Sequence, residues 1–281
     1  MTSILTNSGA MVALQTLSMV NDNLEGTQAE VSTGKKVGSA KDNAAVWAIS
    51  KTMESDIAGF TAIQDSLDVG EATVAVASAG AEQIVDVLKE MKALAVSAQS
   101  ENVDHTTIDA DMAKKAEQIE AIIAASQFNG ANLLATDVDG NTTTSLNVLA
   151  SLDRVGPTGT PTATPITINT VDFQANMLVG SMTAITDATT AATAMGEIEA
   201  FLTTAITGAA QLGADASRLK DQGEFVSKLT DAMKLGVSAM TDANMEEASA
   251  RLKALQTQQQ LAVQSLTIAN KQPETLQQLF R

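Results

Sequence analysis

Two short stretches hold the residues of this chain whose types could do chemistry. His105, the only histidine, lies beside Asp104, and an imidazole next to a carboxylate is a minimum for acid–base catalysis or metal binding. The sequence DVDGN at 137–141 is similar to the start of a calcium-binding loop. His105 lacks further partners, and the DVDGN stretch has a misplaced glycine and no closing glutamate. We therefore predict a surface loop position for His105 and no catalytic residue, cofactor or metal site.

The composition argues against several classes of protein. The chain has 281 residues, with 17 Lys and Arg against 33 Asp and Glu, which gives a net charge of −16. That charge disfavours nucleic acid and anionic membrane surfaces, which bind through basic side chains. The sequence contains no run of about 18 consecutive apolar residues, so it predicts no membrane-spanning helix. With no cysteine and 2% aromatic residues, the Ala-rich chain favours close-packed long helices over an enzyme core.

Apolar residues recur every 3.5 positions in two long segments, which predicts two long helices packed along partner helices. A helix from about residue 42 to 100 would be roughly 85–90 Å long at 1.5 Å per residue. The segment 195–240 is its expected antiparallel partner. The residues assigned to the core of this rod are Phe60, Ile63, Leu67, Ile84, Leu88, Met91, Leu202, Leu212, Leu219 and Val226.

A third, shorter helix is predicted between the two long ones. Thr106 or Thr107 can cap its start, and Gly130 can supply the left-handed residue that ends it. The Thr- and Pro-rich segment after this helix predicts a small surface insert with short strands at 146–149 and 166–171.

Both ends of the chain carry further apolar stripes, out of phase with the long seams. Segments 34–41 and 241–244 interrupt the pattern, which predicts hinge-like junctions. The N-terminal stripe contains Ala10, Leu14, Leu17, Asn21, Leu24, Gln28 and Val31. The C-terminal stripe contains Met245, Ala248, Leu252, Leu255, Gln259, Ala262, Leu266 and Ala269.

These patterns predict a mainly α fold, an elongated antiparallel long-helix bundle or coiled coil formed by both chain ends, with a small β-hairpin-like insert. We expect three domains. Residues 1–40 and 241–281 form a terminal coiled coil, and residues 41–135 and 179–240 form a rod-like helical bundle. Residues 136–178 form the short, surface-exposed β or loop insert.

Four motifs occur in the order and relative position that is typical of one family. They read MTSILTNSGAMVALQTL, VSTGKKVGSAKDNAAVWAIS, FNGANLL and QQQLAVQSLTIANKQPETLQQLFR. The chain resembles bacterial flagellins, and the first two motifs look most like the alphaproteobacterial type. The resemblance covers roughly residues 1–135 and 180–281, so this looks like a flagellin with a short middle region.

The resemblance implies a structural subunit of the bacterial flagellar filament, a helical tube used for swimming motility, and not an enzyme. Its partners would be copies of itself, possibly other flagellins, and the export chaperone, hook-associated junction and cap proteins. The N-terminus lacks the basic start and unbroken apolar core of a Sec signal peptide. Flagellins instead leave the cell through the flagellar type III apparatus, which implies secretion to the extracellular filament.

In flagellins the paired termini line the inner core of the filament, so we expect the terminal stripes to form the assembly interface. A lone helix pair buries little surface, whereas ordering costs about 1–2 kcal/mol per residue. We therefore expect both ends to be largely disordered in the free subunit and to fold on assembly. The expected interface residues are Ile4, Leu5, Met11, Leu14, Leu17, Leu24, Leu252, Leu255, Leu266, Ile268, Leu276, Leu279 and Phe280.

The flagellin-sensing Toll-like receptor reads an L-x-R-I-R-E-L-A-V-Q pattern in this family. The matching stretch here is LKEMKALAVS, in which Glu90, Lys92 and Ala93 stand where two arginines and a glutamate are expected. Leu94 is retained, as core spacing requires. The resemblance thus implies weak or absent receptor activation.

Two alternatives remain open from the sequence. A hook-associated junction protein shares the terminal signatures of flagellin, but it would usually diverge at FNG and in the C-terminal motif. A chemoreceptor-like signalling coiled coil also has Ala-rich acidic heptads. It would need a transmembrane segment or a glutamate-rich tip, and its heptads would not slip near both ends.

Overall fold

The computed structural model describes residues 7–140, 142–156 and 159–279, with backbone alone for 272–279. The expected mainly α fold with a small antiparallel hairpin is confirmed. The elements are α1 (Ser8–Thr33), α2 (Ala44–Ala98), α3 (His105–Ala125), β1 (Ser145–Asp153), β2 (Thr162–Asn169), α4 (Phe173–Asn176), a 3₁₀ turn (Val179–Ser181), α5 (Ala188–Thr241) and α6 (Met245–Leu279).

The chain divides into two compact units. Met1–Ser55 with Ala232–Arg281 forms what we call the terminal unit, and Asp56–Asp231 forms the central unit. Both divisions fall inside a long helix, since α2 and α5 each contribute to both units.

In the central unit, α2 and α5 run antiparallel. Lys92 of α2 pairs with Glu199 of α5 at 2.5 Å, and Gln99 donates a hydrogen bond to the sulfur of Met195 at 3.1 Å. Farther along, Gln64 of α2 lies opposite Gly223 of α5. The residues buried along these helices repeat at three- and four-residue spacing, as an antiparallel helix pair requires.

Helix α3 begins and ends differently from the sequence expectation. Asp104 is the N-cap, and its carboxylate accepts hydrogen bonds from the backbone N–H groups of Thr106 and Thr107 at 3.1 and 3.3 Å. The two threonines therefore lie inside the first turn, because a carboxylate ahead of them already satisfies its free donors. The helix ends at Ala125, and Gly130, with φ 85°, belongs to a separate tight turn.

The hairpin packs one face onto α2, and glycine in α2 makes room for it. A Cβ added at Gly70 would lie 2.7 Å from Cγ2 of Val148, which is buried. The backbone N–H of Leu149 donates to Oγ of Ser66 on the same helix at 3.2 Å. Strand β1 continues past its predicted end to Asp153, and β2 begins earlier than predicted, at Thr162, and ends at Asn169. The backbone pairing continues to Asp153 and Thr162 although residues 162–165 are exposed.

A second close approach joins the segment after the hairpin to α5. Phe173 is fully buried, and a Cβ added at Gly208 would lie 2.5 Å from Cε1 of its ring. The ring thus fills the space that any larger residue at 208 would occupy.

In the terminal unit, α1 and α6 pair antiparallel. Nδ2 of Asn7 donates to the carbonyl oxygen of Ala269 at 2.8 Å, and Nε2 of Gln259 donates to Oδ1 of Asn21 at 2.8 Å. These bonds join the start of α1 to the later part of α6 and the middle of each helix to the other.

The two junctions that the sequence marks as hinge-like are hydrogen-bonded to each other. The N–H groups of Lys36 and Val37 donate to the carbonyl oxygen of Thr241 at 2.7 and 3.1 Å, and the N–H of Ala243 donates to that of Gly34 at 2.9 Å. Val37 and Thr241 are buried. The junctions therefore form one backbone-bonded clamp, which a period change in the sequence does not reveal.

Gly208→Ala is expected to destabilise the chain, because the added methyl group collides with a buried ring that cannot move freely. Overpacking of this kind costs about 1–3 kcal/mol. The matched control is Gly213→Ala on the same helix, where no atom lies within 4 Å of an added Cβ. Alanine there is expected to stabilise by up to about 1 kcal/mol. Urea unfolding followed by circular dichroism compares the two, and equal midpoints would contradict the prediction.

Asp187 is expected to make α5 sensitive to acid. Its carboxylate accepts hydrogen bonds from the N–H groups of Thr190 and Thr189 at 2.8 and 2.9 Å, and those from Thr190 contribute most to lowering its pKa. A lowered pKa stabilises the folded state above the ordinary Asp range, and this contribution is lost as the pH falls below about 4.

The test is Asp187→Asn, which keeps a capping side chain without the charge. Wild type is expected to be the more stable of the two near neutral pH, and the difference is expected to vanish in acid. Urea midpoints measured for both proteins across this pH range report the difference. A gap that stays constant would show that the charge contributes nothing.

Candidate assembly surface

Helix α6 presents the predicted stripe to α1. Ala248, Leu255 and Ala262 are buried, and Leu252 and Leu266 are partly buried. Small residues alternate with leucines along this face, so the two helices can approach closely while burying few large side chains.

Helix α1 uses a different face from the one that its predicted stripe describes. The buried and partly buried positions follow Ala10, Ala13, Leu17, Val20, Leu24, Thr27 and Val31. The predicted stripe has Leu14, Asn21 and Gln28 in place of Ala13, Val20 and Thr27. The actual face is rotated by roughly 50°, half of the 100° step between successive helical residues. Burial of Val20 and Thr27 leaves the amides of Asn21 and Gln28 in water, which explains the choice.

Large apolar side chains of the terminal pair remain exposed to solvent. Seven of them are between 49% and 67% exposed: Met11, Val12, Leu14, Met19, Leu261, Val263 and Ile268. They lie in the first half of α1 and the later part of α6. Because the helices are antiparallel, these two segments lie at the same end of the pair. We call these seven side chains the apolar end of the pair.

The expected interface residues have different environments within the single chain. Met11, Leu14 and Ile268 belong to the apolar end, whereas Leu255 is buried between the helices. Leu17, Leu24, Leu252 and Leu266 are partly buried. Ile4, Leu5 and Phe280 lie outside the described residues. Leu276 and Leu279 lie in α6, but their side chains are also outside the described part.

Four members of the apolar end were missed by the periodicity. Val12, Met19, Leu261 and Val263 lie off the stripes that pair α1 with α6. The sequence could have indicated them, because each helix has more apolar residues than one buried stripe needs, and the additional ones lie on a second face.

The residues assigned to the rod core follow the two long helices. All but Leu202 are buried, and Leu202 is partly exposed near the surface of α5. Nine of the ten residues therefore lie in the buried seam between the two helices, and Leu202 lies at its edge.

The stretch that matches the receptor pattern has its charges engaged within the chain. Glu90 forms an ion pair with Lys115 of α3, and Lys92 forms one with Glu199 of α5. Ala93 is exposed and Leu94 is partly buried.

The stretch around His105 has a structural role at the start of α3. The imidazole Nε2 of His105 donates to the carbonyl oxygen of Ala98 at the end of α2, at 2.9 Å, and His105 is the first residue of α3 rather than a loop residue. Asp104 caps the same helix. No group of three or more His, Cys, Asp or Glu side chains in the described residues is arranged to hold a metal ion. Nor is any described helix long and apolar enough to cross a membrane.

The formal charge is divided unevenly between the two units. The terminal unit has nine basic and nine acidic side chains, whereas the central unit has eight basic and 24 acidic ones. The whole net charge of −16 therefore belongs to the central unit. Copies of the terminal unit can approach one another without net repulsion.

A pair of terminal helices in a unit with no net charge, with large apolar side chains exposed at one end, is typical of a structural protein that associates with its own copies. Sequence profiles of one family match both ends of the chain. The bacterial flagellin N-terminal helical region matches residues 4–139, and the bacterial flagellin C-terminal helical region matches residues 195–280.

Curated relatives agree over the full length. Flagellin FljM of Caulobacter vibrioides is 38% identical over 282 residues, covering 99% of this chain and 98% of the relative. A flagellin of Brucella melitensis is 38% identical over 288 residues and covers all of both chains. Flagellin A of Rhizobium meliloti is 33% identical over 395 residues, again covering all of both chains.

The chain belongs to the flagellin family, whose members are the structural subunits of the extracellular bacterial flagellar filament. The expected resemblance is thereby confirmed, including its alphaproteobacterial character. The junction-protein and chemoreceptor alternatives gain no support from these relatives.

Proposed function

We propose that this subunit polymerises through the apolar end of its α1–α6 pair, which neighbouring copies cover in the filament. The observation that carries the proposal is the exposure of these seven large side chains at one end of a helix pair. Fully burying a Leu, Ile or Met side chain contributes about 1.5–3 kcal/mol, and these side chains, which are already about half covered, would each contribute roughly half of that. The balanced charge of the terminal unit removes an electrostatic obstacle.

The same surface supports folding on assembly. Among the described residues of α1, only Val20 and Thr27 are buried by the single chain, so the pair has little to offset the entropy of ordering its helices. The terminal helices would therefore order when neighbouring copies add their apolar surface.

The domain roles follow from this arrangement. Residues 1–40 and 241–281 would form the inner core, residues 41–135 and 179–240 the surrounding rod, and residues 136–178 the outer insert. The inner-core boundaries coincide with the hydrogen-bonded clamp between the two junctions.

The remaining partners follow from the family rather than from a site. The subunit would leave the cell through the flagellar type III apparatus with an export chaperone, and it would meet hook-associated junction and cap proteins at the ends of the filament. It would act as a structural protein and not as an enzyme. The polymer would contain this chain alone or together with other flagellins.

Removal of residues 245–281 is expected to leave a folded central unit that forms no filaments, because α1 then loses its partner helix and the apolar end loses three of its seven side chains. Negative-stain electron microscopy and sedimentation measure polymer formation. For the full chain, circular dichroism is expected to show a gain of helix on assembly. Filaments from the truncated chain would refute the proposal.

A matched pair of point variants separates loss of the helix from loss of its exposed face. Leu14→Gln and Leu178→Gln make the same change at side chains of similar exposure, 58% and 61%. The first is at the apolar end and is expected to raise the critical concentration for assembly. The second is in the central unit and is expected to leave it close to that of wild type.

We further propose weak or absent activation of the flagellin-sensing Toll-like receptor. At the matching stretch the acidic Glu90 and the neutral Ala93 replace an expected arginine and glutamate, and Lys92 is held by Glu199. A receptor of complementary charge would meet the wrong sign at Glu90.

A reporter-cell assay with the purified subunit tests this proposal, and full potency of the wild type would refute it. The variant with Glu90→Arg, Lys92→Arg and Ala93→Glu together is expected to gain activity. Leu178→Gln is the matched control for handling and purity, with no expected gain.

A further inference from the structure

Helix α1 contains two overlapping apolar seams, and the structure uses one of them against α6. The seams share Ala10, Leu17, Leu24 and Val31. They differ at three places, where the first has Ala13, Val20 and Thr27 and the second has Leu14, Asn21 and Gln28. A rotation of roughly 50° would exchange them. An interaction elsewhere on the helix pair must therefore favour packing of the first seam against α6, which leaves the second seam facing solvent.

The side-chain bond between Asn21 and Gln259 lies where this selection can be made. Gln259 belongs to the stripe of α6 that faces α1, whereas Asn21 lies beside the seam that α1 uses. Nε2 of Gln259 donates to Oδ1 of Asn21 at 2.8 Å. In this rotation both amides keep access to water at the edge of the pair while bonding to each other.

The alternative rotation would place Asn21 between the helices. Its amide would then be buried between the two helices, and a buried amide that lacks its full set of hydrogen bonds is strongly disfavoured. A polar residue in a helical seam is a well-attested means of selecting one arrangement at the expense of others.

We infer that Asn21 is a positioning residue, which holds α1 in the rotation that leaves Leu14 and Met11 facing a neighbouring copy. Leu14 belongs to the same seam as Asn21, one heptad earlier, and it is 58% exposed. In the alternative rotation Leu14 would turn toward α6 and be lost to the neighbour. The inference rests on the proposed assembly through the apolar end.

Asn21→Leu tests the inference, because it makes the second seam continuously apolar from Leu14 to Leu24. The critical concentration for assembly is expected to rise by at least about tenfold, equivalent to about 1.4 kcal/mol. The unassembled variant is expected to have more helix than unassembled wild type, since its own chain now covers Leu14. Circular dichroism and sedimentation measure the two effects.

Two control variants isolate the role of the side-chain bond. Asn23→Leu makes the same change two residues away on an exposed face of α1, and it is expected to assemble like wild type. The exchange Asn21→Gln with Gln259→Asn keeps an amide pair and is expected to restore assembly. A merely general effect of added hydrophobicity would affect Asn23→Leu equally.

A thiol-labelling measurement reports the rotation directly, because the chain has no cysteine of its own. Single thiols from Ala13→Cys and Leu14→Cys are compared by their rates of reaction with a maleimide in the unassembled subunit. In the Asn21→Leu background, position 14 is expected to react more slowly than position 13, whereas in the wild-type background it is not.

An Asn21→Leu protein that assembles at the wild-type concentration, or that leaves the labelling ratio unchanged, would overturn the inference. These outcomes are distinct from failure of the proposed function. If wild type and Asn21→Leu assemble equally well, only the inferred role of Asn21 is refuted. If Leu14→Gln also has no effect on assembly, the proposal that the subunit assembles through the apolar end is refuted as well.

Discussion

The pairing of α1 with α6 is the interaction on which the terminal unit depends. Its seam must be strong enough to bring the two chain ends together and narrow enough to leave apolar surface for neighbours. Small and polar residues such as Ala13, Thr27 and Ala262 lie between the helices, while Met11 and Leu14 remain in water. A wider seam of leucines would stabilise the isolated pair and leave less apolar surface exposed.

The central unit follows the opposite rule. Its seams bury long series of large side chains, and glycines at Gly70 and Gly208 let Val148 and Phe173 approach the helices closely. Packing of that kind tolerates little adjustment, because each side chain fills a shaped space. The central unit is thus closely packed, whereas the terminal helix pair leaves large apolar side chains exposed in the single chain.

Charge and hydrogen bonding reinforce this division. The net charge of −16 belongs to the central unit, whereas the terminal unit has no net charge, so like-charge repulsion acts between central units. Within the terminal unit, the clamp at Gly34, Val37 and Thr241 ties the two junctions together through backbone groups. His105, the only histidine of the sequence, bonds the start of α3 to the end of α2 through the carbonyl oxygen of Ala98.

The sequence by itself determined the class of fold and the family. Apolar spacing of 3.5 residues is a local property, and it specified the long helices, their approximate extent and most of the buried rod residues. The terminal motifs, read in order, identified flagellin. Only the tertiary structure decided which face of α1 is buried, because Leu14 and Ala13 satisfy the same periodicity equally well. The choice depends on α6, whose Gln259 bonds to Asn21 across a separation of 238 positions. The docking of the hairpin at Gly70 was decided in the same way, since the space that a missing Cβ leaves has meaning only when its neighbour is known.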